Sequence, residues 1–142
     1  AFGLQQLKKL SKYIKIRQEN FIRQNNFFNK FDRYFEKPIQ KKTVNTAWLA
    51  YPILLKSDLK FSRKDFQIYL EKNEIQTRVV FTGNILKQPM MKNKKFITSK
   101  KGFTNTDNIM ERGVLLPVHH GLSESMFNRL HSTIESFIKL HN

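Results

Sequence analysis

The sequence predicts an α+β fold, in which a small sheet of about three strands carries packed helices and a long helix stands at the N-terminus. Aromatic and aliphatic residues recur at helical spacing through residues 3–35. Farther along, three short apolar segments alternate with segments whose apolar residues have a helical period. A chain of 142 residues with 39% hydrophobic side chains suits one domain with a sizeable core.

An apolar residue recurs every seven positions along the first segment: Leu7, Ile14, Phe21, Phe28 and Phe35. This spacing predicts one long helix over residues 3–35, or two helices in line, with these side chains on one face. A coiled coil needs a second apolar row, and Arg17 and Gln24 occupy the positions of that row. We therefore expect the helix to pack against a domain face and to end before Pro38.

Residues 46–56 give the clearest strand prediction, because an unbroken apolar sequence runs from Trp48 to Leu55. A strand that is apolar on both sides is expected to be covered on both faces of its sheet. Pro52 has no backbone N–H, so it favours an edge position or a bulge.

The next helix is predicted to run from Ser62 to about Asn73. Ser62 with Asp65 three residues later makes a start that resembles a capping box. The apolar side chains that we expect to be buried on one face of this helix are Phe66, Tyr69 and Leu70.

The second strand is predicted over Ile75–Phe81, with a turn at Gly83-Asn84 after it. Because side chains alternate along a strand, Arg78 lies on the face opposite the more apolar one. That apolar face consists of Ile75, Thr77, Val79 and Phe81. A cation fixed beside a Gly-Asn turn can contact an anion or a sugar. The alternative is an ordinary surface arginine before a turn.

Residues 85–103 show no apolar period and include five lysines from Lys92 to Lys101, which predicts a basic loop. A short helix over Asn105–Arg112 is expected to end at Gly113, as a left-handed C-terminal glycine. Val114–Val118 is then the third predicted strand.

The last helix is predicted over Glu124–Leu140, with Ser123 as its N-cap. The side chains predicted to face inward are Met126, Phe127, Leu130, Ile134, Phe137 and Ile138. His119, His120 and Gly121 turn the chain before this helix.

The chain carries 26 lysine and arginine residues against 11 aspartate and glutamate residues, for a net charge of +15. Such an excess favours anionic partners, such as nucleic acid, acidic lipid or phosphorylated small molecules. Most of the positive charge is lysine spread over the whole chain, so a solvated surface of biased composition is the alternative explanation.

The chain has no cysteine, which excludes disulfides, thiolate metal sites and cysteine nucleophiles. A reducing cytoplasm is consistent with this composition. No apolar segment reaches the ~20 residues of a membrane span, and the N-terminus lacks the pattern of a signal peptide. The sequence starts without Met inside a predicted helix, from which we expect a fragment or an excised domain.

Catalytic and metal motifs give little support for a reaction. The sequence contains no nucleophile elbow, P-loop or dinucleotide fingerprint. His119 and His120 are adjacent on an extended segment and point to opposite sides, so a metal ion shared by them is not expected. Either histidine can line a pocket at the end of the third strand.

Several short motifs occur in a recognisable order. Ile-Gln-Thr-Arg, Phe-x-Gly-Asn and Gln-Pro lie between Ile75 and Pro89. Ala-Phe-Gly-Leu and Trp-x-Ala-Tyr-Pro precede them, and Asn-Thr-Asp-x-Ile-Met and Gly-Leu-Ser-Glu follow. Together these motifs resemble the small domain of DegT/StrS-type, pyridoxal-phosphate-dependent sugar-nucleotide enzymes, with the 3-dehydrases of CDP-4-keto-6-deoxyglucose as the nearest branch. Thr82 and the pair His119-His120 depart from the pattern of that branch.

The resemblance implies the C-terminal small domain of a fold-type-I aminotransferase-like enzyme. Residues 1–37 would be a long helix that links to an absent large domain, and residues 38–142 the α+β small domain. The cofactor, pyridoxal 5′-phosphate or pyridoxamine 5′-phosphate, would be bound mainly by the absent domain. No catalytic residue is then expected in this chain, and alone it would be inactive.

The implied activity is a 3-dehydrase that removes the C3 hydroxyl of a 4-keto-6-deoxy nucleotide sugar in O-antigen biosynthesis. One alternative is a sugar-nucleotide aminotransferase of the same family. Another, from a different class, is a stand-alone basic module that binds phosphorylated ligands or nucleic acid.

Contacts to the substrate are expected from five residues: Arg78, Asn84, Gln88, His119 and His120. The expected partners are a nucleotide sugar, a second copy in a homodimer and, for a 3-dehydrase, an iron–sulfur reductase. A membrane or nucleic-acid partner is not expected for such an enzyme, which would be cytoplasmic.

Overall fold

The computed structural model describes residues 2–142 and confirms the α+β fold class. In chain order the elements are α1 (Phe2–Phe28), β1 (Phe35–Glu36), β2 (Tyr51–Leu55), α2 (Arg63–Lys72), β3 (Arg78–Val79), α3 (Thr104–Arg112), β4 (Gly113–Leu116) and α4 (Glu124–Leu140). Short 3₁₀ turns cover Asn29–Phe31, Ile85–Lys87 and Pro89–Met91.

The strands form one antiparallel sheet in the order β1-β2-β4-β3. The centre is the pairing of β2 with β4, in which Tyr51 lies opposite Leu116 and Ile53 opposite Val114. β1 pairs only with the end of β2, and β3 forms the other edge beside β4. Four strands are present among the described residues, one more than predicted.

The additional strand comes from the end of the predicted N-terminal helix. The seven-residue spacing predicts a helix as far as Phe35, but α1 ends at Phe28. The turn over Asn29–Phe31 redirects the chain, and Phe35 is then buried in β1 opposite Leu55. Spacing alone cannot distinguish the two structures, because Phe35 is buried in apolar surroundings in either of them.

Pro52 lies in an interior strand, whereas the sequence favours an edge or a bulge for it. β1 pairs only with Leu54 and Leu55, so β4 is the only strand beside Pro52. On the side away from β4, therefore, no neighbouring strand is left without a hydrogen bond by the missing N–H of Pro52.

β2 is shorter than predicted, and its side chains alternate between buried and half-buried. One face is therefore fully covered by this chain, and the other only in part.

The covered face of the sheet holds the core. Phe28 of α1 stacks on Tyr51 of β2, with ring centroids 5.5 Å apart. In the same core, α2 and α4 bring Phe66 and Phe137 together in an edge-to-face pair. Further core residues on these elements include Leu70, Leu130, Ile134 and Ile138. Full burial of such side chains is worth about 1.5–3 kcal/mol each, so this layer fixes the sheet and its helices.

Both capped helix starts are as predicted. Ser62 and Asp65 form a reciprocal capping box at α2, and Ser123 Oγ accepts from the backbone N–H of Met126 at α4. The prediction that Met126 faces inward is wrong, because its side chain is exposed. Met126 lies in the first turn of α4, just before Phe127, which is buried.

The predicted strand Ile75–Phe81 is reduced to Arg78–Val79 in the structure. Ile75 and Thr77 are buried as expected, but Val79 and Phe81 are exposed. Phe81 has a backbone φ of 49°, in the left-handed region, which ends the strand before the turn.

The sequence predicts that Gly113 ends α3 in the left-handed conformation, and this prediction is wrong. Its φ is −79° and it is the first residue of β4. A Cβ at this position would lie 2.6 Å from the carbonyl oxygen of Ile109. Glycine is therefore needed here for close approach of helix and strand, and not for a positive φ. Within residues 2–142, no helix is long and apolar enough to cross a membrane.

Candidate functional site

Arg78 lies on the edge strand β3 with its side chain exposed. When the Gln76 amide is oriented with its oxygen toward the guanidinium, Gln76 accepts from both terminal nitrogens of Arg78, at 3.1 and 2.8 Å. The ion pairs found among residues 2–142 do not include Arg78. The guanidinium is thus oriented by a neutral amide and keeps its charge available for an anion.

The turn after β3 is built on Gly83, whose φ is +65°. A Cβ on Gly83 would lie 2.3 Å from the Cβ of Met110, so any side chain here would collide with α3. The turn therefore needs glycine both for its backbone conformation and for its contact with the helix.

Asn84 is 5% exposed, and both of its polar atoms are used within the chain. Its Oδ1 accepts from the N–H of Leu86 at 3.0 Å, and its Nδ2 donates to Oδ1 of Asp107 at 2.7 Å. Asp107 also accepts from the ammonium of Lys87, at 3.0 Å. These two hydrogen bonds, the one from Asn84 first, lower the pKa of Asp107.

Gln88 ends the same loop. Its Nε2 donates to the carbonyl oxygen of Thr82 at 2.7 Å, closing the loop across Gly83. The side-chain oxygen of Gln88 makes no hydrogen bond within the described chain, and so can accept from a hydroxyl or an N–H of a ligand. The loop, defined here as the Gly83 loop (residues 81–88), therefore presents Gln88 outward and holds Asn84 inward.

Two concave surfaces lie along this edge of the domain. A pocket of about 270 Å³ lies between the Gly83 loop and α3, with Arg63, Gln88 and Met110 in its lining. Arg63 donates to the carbonyl oxygen of Met110 at 2.9 Å. A wider, shallow groove of about 630 Å³ runs between α2 and β3. Its charged lining residues are Lys64, Lys72, Arg78 and one acid, Glu71. Both surfaces carry positive charge suited to a phosphate or another anion.

The two predicted histidines lie against the middle of α1. The ring of His120 stacks on Tyr13 with centroids 3.7 Å apart, and its enclosed Nδ1 has no hydrogen-bond partner among the described residues. Asn20 donates to the carbonyl oxygens of Val118 and His119, at 3.3 and 2.9 Å. Helix α1 therefore fixes this turn through one ring and one amide.

His119 is positioned to act as a neutral donor. Its Nδ1 accepts from the N–H of Gly121 at 3.1 Å. Desolvation of the ring lowers the pKa of His119, and the nearby charges of His120 and Arg17 lower it further. A neutral ring whose Nδ1 accepts carries its proton on Nε2, from which it can donate to a ligand oxygen.

The predicted site residues fall into two groups at opposite ends of β4. Because β3 and β4 are antiparallel, the Gly83 loop lies beyond the start of β4, and the histidines lie beyond its end. Arg78 stands between the two groups, opposite Leu115. Sequence reasoning gave no role to Asp107, Asn20 or Tyr13. Asp107 is part of the quoted Asn-Thr-Asp motif, but the partners of all three residues are set by tertiary contacts. No group of metal-binding side chains occurs in the part of the chain that the structure describes.

Comparison with known proteins shows which family the chain belongs to. The model of the DegT/DnrJ/EryC1/StrS aminotransferase family matches residues 1–135. The chain belongs to this family. The resemblance seen in the motifs is confirmed, and the family match includes Arg78, the Gly83 loop and the histidine pair.

Among curated relatives of this family member is the lipopolysaccharide biosynthesis protein RfbH of Salmonella typhimurium. It is 28% identical over 141 residues, which is 99% of this chain and 32% of the relative. The chain thus spans about a third of the length of this relative.

Solved structures agree with the fold. The GDP-4-keto-6-deoxy-D-mannose-3-dehydratase of E. coli, with bound hydrated PLP, superposes with a TM-score of 0.73 and 25% identity, over 92% of this chain and 33% of the other. An aminotransferase from Psychrobacter cryohalolentis gives a TM-score of 0.84 at 16% identity, over 99% of this chain and 38% of the other. The second likeness supports the fold alone.

Proposed function

We propose that this chain is the small domain of a pyridoxal-phosphate-type enzyme that acts on a nucleotide sugar. The proposed reaction is 3-dehydration, the removal of the C3 hydroxyl of a 4-keto-6-deoxy sugar in O-antigen biosynthesis. Membership of the DegT/DnrJ/EryC1/StrS family supports the enzyme class. The name of the E. coli dehydratase supports the finer reaction, and that of the Salmonella protein supports a role in lipopolysaccharide biosynthesis.

Amino transfer is the second candidate reaction. The solved aminotransferase with the same small-domain fold supports this candidate at the level of the fold. The two reactions give different products from the same 4-keto sugar. One product lacks a hydroxyl group, and the other gains an amino group from an amino donor.

Arg78 is the single observation that carries the substrate-binding part of the proposal. Its guanidinium is exposed and oriented by Gln76, and it lacks an acidic partner among residues 2–142. A diphosphate or a sugar oxygen can receive two parallel hydrogen bonds from such a group. Gln88 adds an acceptor from the Gly83 loop, and His119 a neutral donor from the other end of β4.

The cofactor in this proposal is pyridoxal 5′-phosphate or its pyridoxamine form, which supplies an electron sink when it is bound. A lysine that forms a Schiff base needs a desolvated site. No lysine among residues 2–142 is buried. We therefore assign the cofactor mainly to a large domain outside these residues, and the greater length of the relatives leaves room for one.

The same proposal includes a division of the chain and a set of partners. Residues 1–37 would link to the large domain, and residues 38–142 would form the small domain. The whole protein would be a cytoplasmic homodimer, with an iron–sulfur reductase as partner if it is a 3-dehydratase. The isolated chain would be inactive because it lacks the cofactor site.

The test uses the full-length protein, loaded with pyridoxamine phosphate and given 4-keto-6-deoxy nucleotide sugars alone, with glutamate, or with an iron–sulfur reductase and its electron donor. Replacing the C3 hydroxyl by hydrogen takes two electrons, which glutamate or the reductase would supply. Mass spectrometry of the product distinguishes loss of the C3 hydroxyl from gain of an amino group. We expect Arg78→Ala to raise the KM for the nucleotide sugar about ten- to hundredfold, since charge-assisted hydrogen bonds are lost.

The matched control is Arg33→Ala. Arg33 is an exposed arginine that lies in space beside the C-terminal residues His141 and Asn142. We expect this control to leave KM within about twofold. Equal KM values for wild type and Arg78→Ala would contradict the assignment of Arg78. No turnover of any nucleotide sugar would contradict the proposed function as a whole.

A further inference from the structure

Asp107 connects the Gly83 loop to the body of the domain. It lies in the first turn of α3. One carboxylate oxygen accepts from Asn84 at 2.7 Å and the other accepts from Lys87 at 3.0 Å. Asn84 in turn accepts from the N–H of Leu86. A single carboxylate therefore holds both ends of the short turn that precedes Gln88.

The burial of these groups shows that the contact is structural rather than a transient surface pair. Asn84 is almost fully buried, so losing its acceptor would leave an amide N–H₂ without a partner. The Asp107 side chain is 33% exposed and that of Lys87 57% exposed. The bond to Asn84 is accordingly the main anchor, and the ion pair with Lys87 is the weaker one.

A second contact of the same helix lies next to the first, at Gly83. Met110 is one helical turn after Asp107 and lies directly against Gly83. α3 thus holds the loop at two points on one face, Gly83 by steric contact and Asn84 by a hydrogen bond. Together, these anchors and the hydrogen bond from Gln88 to the Thr82 carbonyl oxygen hold the Gln88 side chain in place.

We propose that Asp107 is a positioning residue for substrate binding, which acts through Asn84 to hold the Gly83 loop and its Gln88 in place. The inference deepens the proposed function and rests on it for the identity of the ligand. Asn84 then contributes by shaping the loop, because both of its polar atoms are already bonded within the chain. Asp107 does not itself contact the reacting atoms.

The test compares Asp107→Ala, Asp107→Asn and the control Asp58→Ala in the full-length protein. Asp58 is an exposed acid in the connection between β2 and α2. Hydrogen exchange of the peptide that covers residues 82–92 reports on the loop. Steady-state kinetics with the nucleotide sugar turned over by wild type report on binding.

For Asp107→Ala we expect exchange of the loop amides to rise about tenfold, because the opened loop loses its anchor. We also expect KM to rise on the order of tenfold with kcat within about twofold, as for a group that aids binding only. Asp107→Asn keeps an acceptor for Asn84 and should recover most of both effects. Asp58→Ala should change neither.

Unchanged exchange in Asp107→Ala would overturn the proposal, whatever happens to KM. So would raised exchange with an unchanged KM in an active enzyme, because the loop would then not serve substrate binding. A third outcome would also overturn the proposal: a fall in kcat and in the melting temperature together with a raised KM, in Asp107→Asn as well as in Asp107→Ala. Asp107 would then contribute to general stability. If wild type turns over no nucleotide sugar, the proposed function fails separately, and the exchange data still decide whether Asp107 holds the loop.

Discussion

The two halves of α1 have the same apolar spacing and opposite surroundings. In the second half, Phe21, Phe27 and Phe28 are buried and stack on Trp48, His131 and Tyr51, respectively. In the first half, Leu7 is 63% exposed, and Phe2, Leu4 and Leu10 are exposed as well. Periodicity thus identifies the face of a helix that can be buried, but not whether this chain supplies what covers it.

The second half also contributes Gln24 to a polar pair with His131 of α4, whereas the first half, from Phe2 onward, has no buried polar side chain. Gln24 is fully buried, donates to the carbonyl oxygen of Pro117 at 3.1 Å and lies 3.0 Å from Nε2 of His131. Because the Gln24 oxygen faces the ring, Nε2 must carry the proton. A position that sequence patterning marks as an interruption of the apolar face is therefore a specific link between α1, the end of β4 and α4.

The largest expected difference between the halves is in apolar burial. Phe28→Ala should lower the free energy of unfolding by about 3–5 kcal/mol, because it leaves a cavity beside Tyr51. Leu7→Ala should change it by less than about 0.5 kcal/mol. Urea denaturation of the 142-residue chain measures both. Similar losses in the two variants would show that the first half is packed in solution.

A smaller difference is expected for the polar pair. Gln24→Ala should lower the free energy of unfolding by about 1–3 kcal/mol, because the Pro117 carbonyl and the His131 N–H lose their partner in a buried site. Gln5→Ala, on the exposed half, should have no measurable effect. The same denaturation experiment compares them, and an unaffected Gln24→Ala variant would argue that water replaces the amide.

The smallest effect is expected in the pH dependence of the same junction. Burial, with the charges of Arg23 and Lys30 adding to it, lowers the pKa of His131 from 6.5 to about 4, and Glu124 opposes this shift. A base with a lowered pKa stabilises the fold when it is neutral. Its contribution is therefore complete above pH 6.5 and is lost as the pH falls toward 4. The ring is only half-buried, so water screens part of the charge.

The measurement is the stability of wild type minus that of His131→Gln at several pH values between 7 and 4. The glutamine keeps a donor for Gln24 but does not titrate. We expect the difference to decline over this range. A difference that is constant with pH would show that His131 protonates without cost to the fold.

The candidate site could be predicted only in part. Family motifs named Arg78, Asn84 and Gln88, and the structure brings the last two into one loop. It also shows an exposed Arg78, in agreement with a strand position on the side away from the core. The motifs could not show that Asn84 is directed inward, because its partner Asp107 is 23 positions away in the sequence. Nor could they place His119 and His120 at the opposite end of β4.

Local chemistry explains what the sequence determined by itself. The N-caps of α2 and α4 and the turn at Gly83 depend on side chains within a few positions of each other, and all three are present as predicted. The burial of Phe66 and Leu70 follows in the same way from the helical period.

Tertiary structure decided the rest. Three features depend on contacts between segments that are distant in the chain. They are the end of α1 at Phe28, the burial of Phe35 in β1 and the hydrogen bond between Gln24 and His131. The same holds for the exposure of the first half of α1, since the residues that could cover it are not among its sequence neighbours. A spacing pattern records which side chains avoid water, whereas only packing decides which surface they meet.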